Sequence, residues 1–492
     1  MLTGVLVAVV VVAVWCYLNT KKPRGLPPGV WGWPVIGCLP SPDESLSDQV
    51  MKLRPKYGNI ITWRMGSRTF VFLCNYKLAS TAMARPELQD RPDLYSLDVL
   101  NEFKKYGLFN ANGLHWYNGR RFAVRHLREM GMGKSSMETT IQYEAARLVE
   151  DFNKYSGHSQ TLPWSINVAF LNVIWKLTAD RRYEVDDPEV QSLHQLITSL
   201  FIDFQGNVVW FDLFPWVIPY TPQWLVDWLN IGEMSVKARK IKNFMLEEIK
   251  RHRASLNPDD IRDYIDAYLV EMEKENHQES TFCEDDLWIA VANLFIGGTE
   301  TVSATMRWYI MYMAQYPEVQ ARVQQEIDSV VPRDTAPALE HRDKLPYTEA
   351  VAAEVNRLIS VSPTALPHLA TRDTELFNYT IPKGTILIAH QECCHRDPNY
   401  WEKPDQFYPG HFLDKDGNFI SKKESYIPFN IGRRQCLGES LARMELFLFQ
   451  ATLMQNFTFS VPKGEKLPFE KDPTIRIVNI PKLCNVVITK RK

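Results

Sequence analysis

The sequence predicts a mainly α-helical protein with a smaller β region, an α+β fold. Apolar residues recur at the three- and four-residue spacing of amphipathic helices in 136–155, 236–254, 284–316, 317–331, 346–360 and 437–455. Residues 60–75 predict two strands joined at Gly66-Ser67, and 382–394 predicts another after a Pro-Lys-Gly turn. Because the strands lie near both ends of the chain, a parallel doubly wound sheet is disfavoured.

The composition is that of one large globular domain. Of the 492 residues, 45% are hydrophobic and 23% charged, which excludes disordered, collagenous and coiled-coil classes. No Ser/Gly-rich linker divides the chain, so 41–492 is predicted to form a single domain. The net charge of −2 gives no reason to expect nucleic acid as a partner. Eight cysteines without dense, even spacing favour a reducing compartment.

The N-terminus predicts a membrane anchor over 1–20. The stretch 2–18 contains no charged residue and is about 26 Å long as a helix, enough to span a bilayer core. Lys21, Lys22 and Arg24 follow it, so the positive-inside rule puts the rest of the chain in the cytosol. A cleaved signal peptide is the alternative, but the basic start and the cleavage site of one are missing. Residues 21–40 are rich in Pro and Gly and predict a stiff hinge.

An aromatic segment in 199–230 has two interpretations. It contains Trp210, Trp216, Trp224 and Trp228. Tryptophan favours the membrane interface because its ring is apolar with one polar edge. Core packing between two helices is the alternative, and the sequence leaves both open.

The most informative motif surrounds Cys436. The pattern F-x-x-G-x-R-x-C-x-G places Phe429, Gly432, Arg434 and Gly438 around this cysteine, just before a predicted helix. A helix N-terminus favours a charged thiolate, and the glycines allow the backbone to approach a flat ligand. Phe429 is placed to shield the sulfur.

This motif resembles that of the cytochromes P450, and the resemblance covers essentially the whole chain, closest to the microsomal animal family-2 type. It implies the P450 fold, with haem b between the long central helix and the helix that follows Cys436. Cys436 would be the axial ligand of the haem iron, and oxygen activation is the implied chemistry.

Gly297-Gly298-Thr299-Glu300-Thr301 lies within the long apolar helix 284–316. Each glycine costs a helix roughly 1 kcal/mol relative to alanine. A helix break is disfavoured because the apolar spacing continues on both sides. The segment resembles the oxygen-binding groove of the family, in which Thr301 would hold dioxygen and Glu300 would supply protons.

Glu354 and Arg357 resemble the E-x-x-R pair of the family and are predicted to be buried, because their neighbours are apolar. The same spacing at Glu144–Arg147 and Glu248–Arg251 is predicted to lie on solvated helix faces. His411 occupies the arginine position of the P-x-R-F element, as is usual in this subgroup, and would make the third charge dependent on pH.

A second resemblance concerns the haem carboxylates. Trp116 and Arg120, one helical turn apart, match the helix that reaches a carboxylate, and His368 matches another contacting position. Arg120 and Arg434 would neutralise these carboxylates, and Trp116 would donate its indole N–H.

The electrons must come from another protein, because no G-x-G-x-x-G dinucleotide motif is present. The resemblance implies NADPH-cytochrome P450 reductase, with NADPH acting only through it, and cytochrome b5 as a further donor. A basic surface would bind the acidic reductase, although a merely solvated face is the alternative. Its residues are Arg120, Arg121, Arg125, Arg128, Lys422, Lys423, Arg433 and Arg443.

Together these features predict a haem-thiolate monooxygenase of the endoplasmic reticulum membrane that acts on a lipophilic small molecule. The expected pocket residues are Phe103, Leu108, Phe109, Phe201, Phe204, Ala292, Phe295, Ile296, Ala365, Leu366, Ile477 and Val478. A haem-thiolate isomerase or dehydratase is one alternative, disfavoured because such enzymes usually lack the residue corresponding to Thr301. A non-catalytic membrane-anchored binding protein is the other.

Overall fold

The computed structural model describes residues 10, 11, 14, 21–274 and 281–491. The predicted anchor over 1–20 therefore lies almost entirely outside the described residues. Within the described part, one helix, Glu284–Gln315, is long and apolar enough to cross a membrane, but 78% of its apolar window is buried inside the protein. It is a core helix.

Helices make up most of the described chain. The α-helices are α1 Leu46–Tyr57, α2 Tyr76–Met83, α3 Tyr95–Leu100, α4 Gly107–Asn110, α5 Gly113–Glu129, α6 Glu138–Asn153, α7 Ser165–Ala179, α8 Pro188–Asp203, α9 Val209–Leu213, α10 Gln223–Trp228, α11 Ile231–Ser255, α12 Tyr264–Lys274, α13 Glu284–Gln315, α14 Pro317–Val330, α15 Pro346–Ile359, α16 Gln391–His395 and α17 Glu439–Asn456. Short 3-10 helices span Pro86–Leu88, Ser135–Met137, Pro215–Tyr220, Leu339–Lys344 and Pro409–Phe412.

The strands of the described residues form three small sheets. They are β1 Gly29–Val30, β2 Ile60–Met65, β3 Arg68–Leu73, β4 Ser159–Thr161, β5 His368–Leu369, β6 Thr374–Leu376, β7 Tyr379–Ile381, β8 Ile386–Ala389, β9 Phe457–Ser460 and β10 Asn485–Lys490. A mixed sheet has the order β1-β2-β3-β8-β5, and the others are β4-β10-β9 and β6-β7. In the first sheet Phe72 of β3 pairs with Ile388 of β8. The sheet therefore joins an N-terminal strand pair to a strand from the C-terminal part of the chain.

The predicted α+β class is confirmed, and the predicted helices agree with the structure to within a few residues. The strand pair in 60–75 is also confirmed, with its turn at Gly66-Ser67. The prediction for 382–394 is wrong in extent, because the strand ends at Ala389 and α16 follows. β4 was not predicted, since three residues are too few to show alternation.

Helix α13 is the centre of the helical core. It continues through Gly297 and Gly298 without a break, as predicted. A Cβ on Gly298 would lie 2.8 Å from Ile174 Cγ1, and one on Gly297 would lie 3.1 Å from Phe109 Cζ. The two glycines therefore let α7 and the α4 segment pack closely against α13, which offsets their intrinsic cost.

Arg357 and Glu354 form a fully buried, bidentate ion pair in α15. Arg357 Nε and Nη2 donate to Glu354 Oε2 and Oε1 at 2.8 and 2.7 Å. The other guanidinium N–H groups donate to the carbonyls of His395, Pro404 and Gln406 at 2.6, 2.7 and 3.1 Å. Because every donor is used, this pair meets the requirement for a stable buried charge.

His411 joins the pair through hydrogen bonds. Its Nδ1 lies 3.1 Å from Glu354 Oε1, and its Nε2 accepts the Lys403 N–H at 3.2 Å. An accepting Nε2 carries no proton, so the hydrogen lies on Nδ1. His411 therefore contributes hydrogen bonds to the pair, and its pH-dependent charge stays a prediction.

The prediction that the two other E-x-x-R pairs lie on solvated faces is wrong for their glutamates, whereas the side chains of Arg147 and Arg251 are 44% and 49% exposed. Glu144 is 3% exposed and bonds to Arg182 Nε at 2.6 Å. Glu248 is 2% exposed and pairs with Arg181 and Arg251. Arginines from the α7–α8 connection cover both carboxylates, and their positions have no local pattern in the sequence.

We expect Arg357→Ala to lower the free energy of unfolding by about 3–5 kcal/mol, because it leaves the Glu354 carboxylate buried without its partner. Urea unfolding followed by circular dichroism measures the change. Arg251→Ala is the control; this side chain is 49% exposed, and we expect a loss of under about 1 kcal/mol. Equal losses in the two variants would contradict the structural role of the buried pair.

Candidate functional site

The loop before α17 holds Cys436. The Cys436 N–H donates to the Phe429 carbonyl at 2.8 Å, which closes the loop. Gly432 has a φ of +84°, and a Cβ there would lie 2.4 Å from the Met83 carbonyl oxygen, so the position requires glycine. A Cβ on Gly438 would meet no atom of the described chain within 4 Å. Space for a ligand therefore lies beside Gly438.

The sulfur of Cys436 is set in an enclosed part of the protein. Cys436 is an exposed residue by surface area, yet burial raises the pKa of its thiol. Both observations hold if the side chain opens onto an internal space. Backbone N–H groups of Gly438 and Glu439 and the charge of Arg120 act to lower the pKa. Burial outweighs them, so the pKa of the thiol lies above its ordinary value, and the thiolate stays a prediction for the metal-bound state.

Positive side chains surround Trp116 on the same side of the molecule. The guanidinium carbon of Arg434 lies 3.7 Å from the Trp116 ring centroid, and that of Arg120 lies 5.9 Å from it. Arg120 Nη2 also donates to the Gln435 carbonyl at 2.6 Å, next to Cys436. Helix α5 is therefore attached directly to the cysteine loop.

Among the described residues, three buried nitrogens in this cluster find no hydrogen-bond partner: Trp116 Nε1, Arg434 Nη1 and His368 Nε2. A buried polar atom left without a partner costs about 1–3 kcal/mol. The other donors of Arg434 are used, on the Gln89 and Ala111 carbonyls at 3.1 and 2.9 Å. Unused donors on Trp116 and Arg434 indicate an anionic ligand, and haem carboxylates fit this requirement. The Nδ1–H of His368 donates to the Leu88 carbonyl at 2.8 Å, so its Nε2 becomes a donor only when the ring is protonated.

The pKa shifts show the same need for an anion. Burial, with repulsion from Arg434 and Arg120, lowers the pKa of Arg91 to about 9. Burial also lowers the pKa of Arg434 to about 10, although Asp90 acts against it. Burial and then Arg91 lower the pKa of His368 to about 3. Bound carboxylates would raise all three pKa values.

Arg91 is a member of this site that the sequence analysis missed. Its Nη1 donates to the Leu366 and Pro367 carbonyls at 3.0 and 2.8 Å, and its Nε donates to Phe109 O at 3.1 Å. It thereby holds the segment before His368. No spacing pattern distinguishes Arg91 from a surface arginine, so the sequence contained no usable signal.

Thr301 and Glu300 are adjacent in α13 but face different surroundings. Thr301 Oγ1 donates to the Gly297 carbonyl at 2.9 Å and is half-buried. Glu300 is 5% exposed and turns toward His194 of α8, whose Nδ1 lies 2.9 Å from Glu300 Oε1. The structure shows no direct contact between the two side chains that the sequence analysis paired.

A cavity of about 650 Å³ lies between α8, α13 and the C-terminal segment. Its lining is largely apolar. Eight of the twelve expected pocket residues lie on it: Phe109, Phe201, Phe204, Ile296, Ala365, Leu366, Ile477 and Val478. The other four do not, namely Phe103, Leu108, Ala292 and Phe295. Phe295, for example, packs edge-on against Trp175 at 5.0 Å.

The predicted basic surface is smaller than expected. Lys423 Nζ donates to the His411 carbonyl at 2.5 Å, and Arg443 lies over the Phe429 ring. Lys423 and Arg443 therefore take part in contacts within the protein. The exposed cations that remain are Arg121, Arg125, Arg128, Lys422 and Arg433.

The aromatic segment is exposed, so the core-packing alternative is wrong for its four tryptophans. Their exposed fractions range from 46% to 74%: Trp210 46%, Trp216 54%, Trp224 68% and Trp228 74%. Tyr220, between them, is 82% exposed. The segment is tied to the first sheet by the Ser67 N–H, which donates to the Leu213 carbonyl at 2.9 Å.

The chain is similar to known proteins over nearly its whole length. The family model described as cytochrome P450 matches residues 27–487. Cytochrome P450 2L1 of Panulirus argus is 48% identical over 478 residues, which cover 97% of each chain. Cytochrome P450 2J2 of Homo sapiens is 37% identical over 460 residues, 92% of this chain and 89% of that protein. Cytochrome P450 2B4 of Oryctolagus cuniculus is 37% identical over 454 residues, 90% of each.

We expect Trp116→Phe to weaken haem retention about tenfold, because it keeps the ring under Arg434 and removes one N–H suited to a charged acceptor. The rate of haem transfer to an acceptor apoprotein measures this. Trp164→Phe is a matched control, since Trp164 Nε1 is also buried without a partner but belongs to another part of the fold. A faster loss of haem from the control than from Trp116→Phe would contradict the assignment.

Proposed function

The chain belongs to the cytochrome P450 family and is a haem-thiolate monooxygenase, and we propose that it inserts one oxygen atom into a lipophilic small molecule by hydroxylation or epoxidation. Electrons would come from NADPH through a separate flavoprotein reductase, and the second oxygen atom would leave as water. The observation that carries this proposal is the set of unpartnered buried nitrogens beside the cysteine loop.

The residues present fit a bound haem b. Cys436 would hold the iron, and the space beside Gly438 would admit the ring. The residues that would hold its carboxylates are Trp116, Arg120, His368 and Arg434, joined by Arg91. Phe429 would shield the sulfur from water, and Arg443, whose guanidinium carbon lies 4.8 Å from the Phe429 ring centroid, keeps that ring in place.

Bound through a cysteine thiolate, haem supplies dioxygen activation, because the thiolate donates electron density that favours O–O cleavage. Cys436 would lose its proton on coordination, since a metal ion offsets the burial that raises the thiol pKa. The N–H groups of Gly438 and Glu439 then stabilise the sulfur charge.

Thr301 and Glu300 would handle the protons that the reaction consumes. The Thr301 hydroxyl donates to the Gly297 carbonyl at rest, and rotation about its Cα–Cβ bond frees it to donate elsewhere. Glu300 can hold a proton on its carboxylate and release it after a change of rotamer. We assign to Thr301 the binding of dioxygen and to Glu300 the supply of the proton.

The cavity indicates a lipophilic substrate. Its volume of about 650 Å³ is in the range of small-molecule sites, and its apolar lining offers few polar anchors. Phe201 and Phe204 line it on α8, and Ile477 and Val478 line it on the C-terminal segment. Burial of apolar surface would supply most of the binding free energy.

We place the protein at the endoplasmic reticulum membrane, with an anchor over 1–20, a hinge over 21–40 and one catalytic domain over 41–492. Exposed Trp216, Trp224 and Trp228 support a second contact with the bilayer. Trp33 is 75% exposed, and the Ile36 carbonyl beside it accepts the Gly66 N–H at 2.9 Å. The hinge therefore contacts the Gly66-Ser67 turn, and the aromatic segment is bonded to the same turn.

Reduced protein exposed to carbon monoxide should show the red-shifted Soret band of a thiolate-bound haem, and Cys436→Ala should abolish it. Cys484→Ala removes another accessible thiol and should leave the band unchanged. An intact band in Cys436→Ala would refute the ligand assignment.

The reductase should bind the exposed cations of α5. Arg121 and Arg128 lie seven residues apart and share one helix face. Arg121→Glu with Arg128→Glu should raise the KM for reductase several-fold and weaken its salt dependence. Peroxide-driven turnover needs no reductase and should not change.

Lys250→Glu with Lys240→Glu is the control for this test. It makes the same change in net charge on α11, where both lysines are exposed, and should leave the KM for reductase unchanged. If both double variants raise it equally, the effect is one of net charge and the proposed surface is wrong.

A further inference from the structure

Glu300 is linked to the protein surface by His194. The Nδ1 atom of His194 lies 2.9 Å from Glu300 Oε1. The side chain of Glu300 is 6% exposed and that of His194 is 23% exposed, so the contact leads from the interior toward solvent. Neither residue is among those that line the substrate cavity. This route is therefore separate from the one that substrate would use.

The surroundings hold His194 in place but leave its proton transferable. Its ring packs on Trp164 with the centroids 4.1 Å apart, and its Nε2 lies 3.4 Å from Thr198 Oγ1. The Nδ1 and Oε1 atoms are close, but the ring N–H does not point at the oxygen, so neither atom has a well-aligned hydrogen bond. Transfer of a proton between them would therefore require the ring or the carboxylate to reorient.

Arg307 is a second cationic side chain close enough to Glu300 to interact with its charge. Burial lowers the pKa of Arg307, and the charge of Glu300 raises it. Its guanidinium donates to the Leu162 carbonyl at 3.1 Å and to Asn167 Oδ1 at 2.7 Å. An arginine keeps its proton in a protein and cannot pass it on. Arg307 thus stabilises the Glu300 carboxylate, whereas His194 can exchange protons with it.

We propose that His194 is a positioning residue that relays protons from solvent to Glu300, and this rests on the monooxygenase function proposed above. Water protonates Nε2, and the proton on Nδ1 passes to Glu300 Oε1. The net change is one proton moved from water to the carboxylate, with no electrons transferred. The ring then returns to the tautomer with the proton on Nδ1 by exchanging protons with solvent. Oε2 of Glu300 accepts no hydrogen bond from the described residues, so it is free for the onward step.

The test compares two routes of turnover in the full-length holoprotein. His194→Gln removes the titrating ring, and His194→Phe keeps the packing on Trp164. With NADPH and reductase, both should lose about tenfold or more in kcat, and the kinetic isotope effect in D2O should increase. With an organic peroxide, which already carries reduced oxygen, turnover should be unchanged. His158→Gln alters an exposed histidine elsewhere and should match the wild type.

A double variant separates a relay from a packing role. Because both residues would act in one path, His194→Gln added to Glu300→Gln should cause no further loss of NADPH-driven turnover. An unchanged NADPH-driven rate in both His194 variants, or equal losses in the peroxide and NADPH reactions, would overturn the proposal. Absence of NADPH-driven oxidation by the wild type would instead overturn the proposed function.

Discussion

Burial of positive charge around Trp116 is the constraint on which the candidate site depends. Arg91, Arg120 and Arg434 come from three separate segments, and burial and mutual repulsion lower the pKa values of Arg91 and Arg434 to about 9 and about 10. Bound carboxylates would offset this burial and repulsion. Unpartnered Trp116 Nε1 and Arg434 Nη1 are available to bind one. A bound dianionic cofactor would therefore both fill the site and join segments that are far apart in the chain.

The position of the cysteine loop depends on the Glu354–Arg357 pair, which is connected to that loop through His395. Arg357 binds the His395 carbonyl, and His395 Nε2 accepts the Ile427 N–H at 2.9 Å. Burial, with the charges of Arg357 and Arg396, lowers the pKa of His395 to about 3, so the ring stays neutral and keeps the lone pair that this bond needs. The buried pair thereby sets the position from which the loop reaches Cys436.

Local patterns in the sequence predicted the helices and the cysteine loop. Both depend on residues that are close together in the sequence, namely the apolar spacing of a helix and the ten-residue motif around Cys436. Such patterns did not reveal contacts between distant segments. Arg91 has no spacing signal, and the burial of Glu144 and Glu248 depends on arginines from another connection. The contact of His411 with the Lys403 N–H joins residues that no sequence pattern pairs. The same limit applies to His194, whose partner lies more than one hundred residues away and emerges only when α8 packs on α13.

The most direct test of this account is a crystal structure of the haem-bound protein. The account predicts that the Cys436 sulfur ligates the iron and that haem carboxylate oxygens lie about 2.7–2.9 Å from Trp116 Nε1 and Arg434 Nη1. Carboxylates that point into solvent, with those two nitrogens still unpartnered, would contradict it.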